Sequence, residues 1–313
     1  MKIINIEVSS MELFDKLGIS YKAGYLVQGN QLERLNTSKK LKVSNTELML
    51  RTDGKDSNID SIFKCYKGNI VFHLPSINPD LSNLDVVNNV VKTLKNYDVK
   101  LITIDASNLL MDLFEWSTAE EQKKYFLNVV TAIATIASNR VEIAIQNLKE
   151  DDEDKKYGYS MEQVTDILVY SRNLLVKDFG FKEEESRKYI GISLNIDNIN
   201  ISDKKESIAK YLEVFNKYIK CIKFNNLDNL NEILDFIEDK DIPIFLQTKT
   251  DLEEIDKEYN EFIWKVEEYL NINGIESYKP ITKNNSGFST ILICTMLILT
   301  IVIIVLMFIV KLR

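Results

Sequence analysis

Six polar residues close short apolar, β-branched runs and carry the groups that could do chemistry: His73, Asp105, Gln146, Asn195, Lys223 and Gln247. They stand in Phe72-His73-Leu74-Pro75, Ile104-Asp105-Ala106-Ser107, Ile145-Gln146-Asn147, Leu194-Asn195-Ile196-Asp197-Asn198, Lys223-Phe224-Asn225-Asn226 and Leu246-Gln247-Thr248. His73, Asp105 and Lys223 are the acid-base types. Gln146, Asn147, Asn195, Asn198, Asn226 and Gln247 are neutral donors and acceptors, suited to a polyol or a small phosphate ester. Such a ring equally suits a polar plug whose members satisfy one another. His73 is the only histidine in the chain, so no multi-histidine metal site can be assembled. Ser107 and Ser193 have no neighbouring base that would make a nucleophile.

Groups so far apart in sequence need a scaffold that gathers the ends of separate strands. Strand-like runs at residues 69–72, 100–104, 141–145, 189–194, 219–224 and 243–246 are each followed by a helical pattern, at 84–97, 120–137, 162–177, 207–218, 230–238 and 252–270. Further strands at 3–8 and 24–27 bring the number to eight. Strands alternating with helices form parallel βαβ units, and eight such units predict an α/β fold, a (β/α)₈ TIM barrel over residues 1–270. In that architecture chemistry sits at the carboxyl ends of the strands, where the six polar residues lie. Residues 30–67 are long and polar, and their strand-like run at 47–50 has no assigned place. Residues 259–264 read as a core-facing stripe of the last helix, and Asp112, Glu115 and Trp116 as a solvated loop.

The strand ends resemble those of the xylose-isomerase-like TIM barrels, which include endonuclease IV and sugar-phosphate isomerases and epimerases. That pattern has His-x-Pro after strand three, His after four, Glu-Asn after five, Asp-x-x-His after six, His-x-x-Asp after seven and Glu-Thr after eight. His73-Leu74-Pro75 matches. Asp105 stands for the strand-four histidine, Gln146 for the glutamate, Asn195 and Asn198 for the aspartate and histidine of strand six, Lys223 and Asn226 for those of strand seven, and Gln247 for the last glutamate. The carboxylates of strands five, six and eight thus become their own amides, which keep shape and hydrogen bonding but lose the charge that holds a divalent cation. The resemblance therefore implies a barrel with no metal, no cofactor and a binding or scaffolding role. An active isomerase or epimerase, or an AP-endonuclease-type phosphodiesterase, using His73, Asp105 and Lys223 is the alternative.

Residues 288–310 carry no charge and are followed by Lys311-Leu312-Arg313. A helix over them would measure roughly 34 Å, enough to cross a hydrocarbon core of about 30 Å. The expectation is a single-pass, tail-anchored membrane protein, with residues 271–287 as linker, 311–313 as a short tail, and the bulk of the chain facing the cytosol. The tail holds two of the 39 basic residues and none of the 47 acidic ones, which leaves the rest at −10 and argues against a nucleic-acid partner. Cys65, Cys221 and Cys294 have no paired spacing and read as reduced thiols. The partners expected are the membrane, a protein held beside it, or a small polar ligand. In a third reading the tail pairs with another transmembrane helix, though it lacks a glycine seam.

Overall fold

The computed structural model of the chain describes residues 12–24, 27–50, 59–99, 101–109, 111–149, 156–199 and 204–272. Eight strands form a closed, all-parallel barrel: β1 Leu17–Ser20, β2 Asn45–Met49, β3 Asn69–Leu74, β4 Leu101–Asp105, β5 Glu142–Gln146, β6 Ile190–Asn195, β7 Ile219–Phe224 and β8 Ile244–Gln247. Each pairs with the next, and β1 closes on β8 through Leu17↔Ile244 to Ser20↔Gln247. Parallel neighbours cannot be joined by tight turns, so helices make the crossovers. Among the described residues these are α1 Gln31–Lys40, α2 Ile59–Cys65, α3 Leu84–Lys95, α4 Met111–Trp116, α5 Ala119–Ala137, α6 Met161–Lys177, α7 Glu183–Tyr189, α8 Lys204–Phe215, α9 Leu230–Ile237 and α10 Ile255–Ile272.

Local chemistry sets the helix starts. Asn30 with Glu33, and Thr118 with Glu121, form reciprocal capping boxes at α1 and α5. The outward strand residues and inward helix residues share one large core, in which Phe72, Ile104, Ile192, Phe224, Val130 and Phe262 are buried. The barrel lumen is separate. Its base is closed by Val71, Ala144, Cys221 and Phe245. Gly18 on β1 leaves room for that plug, because a Cβ there would stand 2.7 Å from the Phe245 ring and 2.6 Å from the Asn45 carbonyl oxygen.

Six of the eight expected strands occur where the alternation puts them, and one of the other two does not. Of the expected strand at 24–27 only the ends are described, and they are not in a strand: the Gly24 carbonyl accepts from the amides of both Val27 and Gln28, as in a turn. The first described strand is Leu17–Ser20, whose four residues include a glycine and a serine and so give little periodic signal. The second is Asn45–Met49, overlapping the strand-like run that had no place. The expected strand at 3–8 lies outside the described residues. On α10, Tyr259 and Phe262 are buried as the stripe requires, whereas Trp264 is 58 % exposed and does not face the core. Trp116 ends the short helix α4 rather than lying in a loop, and it is solvent-exposed.

Phe245→Ala, which empties the base of the lumen, is expected to lower unfolding free energy by about 3–5 kcal/mol in a denaturant titration.

Candidate functional site

Alternate residues of each strand face the lumen, and above the apolar base these positions turn polar. Ser20, Glu47, His73, Thr103, Gln146, Ser193, Asn195, Lys223 and Gln247 are all buried. They come from all eight strands, so barrel closure alone brings them together. They sort into a deep charged pair, a shallower charged cluster and a set of amide clamps.

The deep pair is Lys223 on β7 and Glu47 on β2, whose Nζ and Oε1 are 2.5 Å apart with neither side chain exposed. The ammonium also donates to Gln146 Oε1 at 2.8 Å and to Thr103 Oγ1 at 3.3 Å, so each of its three N–H bonds has an acceptor. Glu47 accepts in addition from the hydroxyls of Ser20 and Thr103, each at 2.5 Å. Burial opposes ionisation of Glu47, but the Lys223 charge and the hydrogen bonds from Lys223 and Ser20 outweigh it and draw its pKa from 4.5 down to about 2. Beneath the pair, burial pushes the Cys221 thiol up to about 11 and keeps it protonated.

The shallower cluster centres on Asp105 at the end of β4. Its Oδ1 lies 2.5 Å from Lys22 Nζ, and its Oδ2 lies 3.6 Å from His73 Nε2 and 3.4 Å from Ser76 Oγ. Lys22 follows β1 by two residues and therefore continues the inward face of Ser20. Its side chain is 18 % exposed and that of Asp105 is 20 %, so this cluster opens to solvent at the barrel mouth. Burial works against the charged form of Asp105, yet the Lys22 ammonium holds the carboxyl well below its usual range. Burial, and then the Lys22 charge, lower the His73 pKa and favour the neutral ring. Thr103 Oγ1 spends its proton on Glu47 and so accepts from His73 Nδ1 at 2.9 Å. In the neutral ring the lone pair then sits on Nε2, facing Asp105.

The amides act as clamps. Asn147 receives the Asn195 backbone N–H at 2.7 Å and donates to the Asn195 carbonyl at 3.0 Å, tying the end of β5 to that of β6. Asn195 Nδ2 donates to Gln247 Oε1 at 2.9 Å, and Asn198 Nδ2 to the Asn147 carbonyl at 2.7 Å. Asn226 stands apart: it is exposed, and its side chain caps a turn by bonding the backbone and side chain of Asp228.

The structure thus gathers His73, Asp105, Gln146, Asn147, Asn195, Asn198, Lys223 and Gln247 in and around the upper lumen and leaves Asn226 apart. Lys223 and Asp105, two of the three acid-base candidates, do not pair with each other: Lys223 pairs with Glu47, and Asp105 with Lys22. Both partners lie in the amino-terminal part, beside or within the strands Leu17–Ser20 and Asn45–Met49 that the alternation does not mark. One signal was available, since an acid at the centre of the run Thr46-Glu47-Leu48-Met49 needs a buried counter-charge if that run is a strand.

No protein-family model matches the sequence, and neither does any curated protein. The fold does have solved neighbours. L-ribulose 3-epimerase superposes with a TM-score of 0.60 at 12 % identity, covering 84 % of this chain and 98 % of its own. D-psicose 3-epimerase from Clostridium cellulolyticum H10 gives 0.58 at 11 %, covering 82 % and 99 %. An AP endonuclease of family 2 from Brucella melitensis gives 0.52 at 12 %, covering 75 % and 92 %. These neighbours are xylose-isomerase-like TIM barrels, and at such identities the likeness concerns the fold alone.

The residues in this lumen do not fit a divalent metal. Among the described residues no three His, Cys, Asp or Glu side chains converge as a ligand set. Glu47 and Asp105 are each engaged by a lysine, and a cation entering between them would meet the Lys223 ammonium.

Lys223→Met leaves Glu47 buried and unpaired and should cost about 3–5 kcal/mol of stability. The double variant Glu47→Gln/Lys223→Met should cost less than that single change, a coupling read from denaturant titrations of the full cycle. A folded-state pKa below the unfolded one contributes stability that is present above about pH 4.5 and is lost as pH falls towards 2. For Glu47 that loss is about 3 kcal/mol. Asp105 adds to it in the same direction, and Glu47→Gln should flatten the acid limb of the stability profile.

Proposed function

We propose that this chain is a metal-independent (β/α)₈ binding or scaffolding module, tethered to a membrane by residues 288–310 and turned towards the cytosol. The observation that carries the metal-independent reading is Lys223: a fully buried ammonium, with every N–H bonded, fills the upper lumen and neutralises Glu47. That pair gives strands far apart around the barrel an internal cation, where a ring of ionised carboxylates would need one from outside. The mouth above it, with Lys22, Asp105 and Ser76 reaching solvent, has the polar character to hold a small hydroxylated ligand. The tether rests on hydropathy. Residues 288–310 lie outside the described part, and among the described residues no helix is long and apolar enough to cross a membrane.

A second reading is an active sugar or sugar-phosphate isomerase or epimerase with a rearranged site. The fold neighbours favour it over the first, since several of them are sugar epimerases. In that case His73 and Asp105 remain acid-base candidates with Lys22 beside them, while Lys223 is too deeply buried to meet a substrate.

Purified full-length protein in detergent, incubated with D-tagatose and manganese or zinc, separates the readings. The binding-module reading expects no epimer by NMR and no metal-induced rise in melting temperature. Turnover or a metal-dependent shift would move the conclusion to the second reading. In the same preparation series, a chain ending at residue 287 should leave the alkali-resistant membrane fraction that the intact chain occupies.

A further inference from the structure

Two lysines stand in the upper lumen, and their surroundings differ in the respect that decides amine reactivity. Lys223 is unexposed, and its three N–H bonds are all engaged. Lys22 is 18 % exposed at the mouth, and among the described residues its Nζ has Asp105 as its one hydrogen-bond partner. Asp105 in turn reaches His73 Nε2 with its other oxygen. The result is a chain of amine, carboxylate and imidazole that opens to solvent at the amine end.

We propose that Lys22 captures an aldehyde or ketone, such as the open-chain carbonyl of a small sugar, as a reversible imine at the barrel mouth. The inference rests on the reading that this mouth binds a ligand, and it names that ligand's chemical class. For the amine to attack, its ammonium must lose a proton. Asp105 accepts the hydrogen bond, and the Nε2 lone pair of neutral His73 can take the proton behind it. Burial and the neighbouring Lys223 charge both lower the Lys22 pKa, while Asp105 opposes them; desolvation and a nearby cation are the influences that make a lysine nucleophilic.

The step balances without an oxidant or a reductant. Lys22 Nζ forms a bond to the carbonyl carbon, the π pair moves to oxygen, and that oxygen takes up the proton held at His73. The carbinolamine then loses its hydroxyl, with the second nitrogen proton, as water, leaving the C=N bond. Hydrolysis reverses it and frees the ligand.

Trapping tests this directly. The full-length protein in detergent is incubated with dihydroxyacetone, reduced with sodium borohydride, digested and mapped by mass spectrometry. The expected adduct has the mass of dihydroxyacetone less one oxygen and sits on the Lys22 peptide in preference to exposed lysines such as Lys39 and Lys249. Lys22→Arg, which keeps the ion pair with Asp105, should abolish it. Label spread over surface lysines with Lys22 unmodified, or an undiminished adduct in the Arg variant, overturns the proposal. The wild-type map decides the matter even if the variant fails to fold. A rise in melting temperature with sorbitol, which has no carbonyl, and no label at Lys22 would overturn the imine while sparing the binding reading. No shift with sorbitol and no label would remove both.

Discussion

The buried contact between Lys223 and Glu47 constrains everything above the base of this barrel. Two charges taken wholly out of water are costly to bury, and the cost is offset only while they stay paired and hydrogen-bonded. Ser20, Thr103 and Gln146 complete the set of bonds, so β1, β2, β4, β5 and β7 must hold their register for the pair to survive. A one-residue slip of any of these strands would turn its polar residue into the helix-facing core. The pair thus ties the closure of the sheet to a single polar arrangement of its interior.

The outer cluster depends on the inner one. Thr103 hands its proton to Glu47, and that choice leaves it as an acceptor for His73 Nδ1. The tautomer that follows turns the His73 lone pair towards Asp105, and Asp105 is in turn held by Lys22. A buried charge pair with no route to solvent therefore sets the protonation pattern of a cluster that does have one. The amide clamps at Asn147, Asn195 and Gln247 fix the opposite rim of the mouth by binding strand ends to one another. These bonds stay within the rim, whereas the Asn226 side chain turns to its own loop.

Much of this architecture is legible in the amino-acid sequence. Six strands show strong β-branched alternation, and their polar ends could be named residue by residue because strand ends in a parallel barrel point the same way. The first two strands were not legible, for different reasons. Leu17–Ser20 is too short and too rich in small residues to carry a period, and Asn45–Met49 puts a glutamate where an apolar residue usually marks the inward face. The same property that hid β2 makes it important, since Glu47 is the counter-charge of the lumen. Lys22 was missed because it lies past the end of a strand that had not been found.

The sequence by itself determined the class of fold and the absence of a multi-histidine metal site, because periodicity and residue counts are properties of the chain alone. It also determined the uncharged run at 288–310, whose length and composition need no tertiary context to be read. Which charges meet was decided only by the tertiary structure. Lys223 and Glu47 are 176 residues apart and Lys22 and Asp105 are 83 apart, and nothing local distinguishes these pairings from the alternatives. Barrel closure selects them, because it sets which inward positions share a level of the lumen and how far each lies from water.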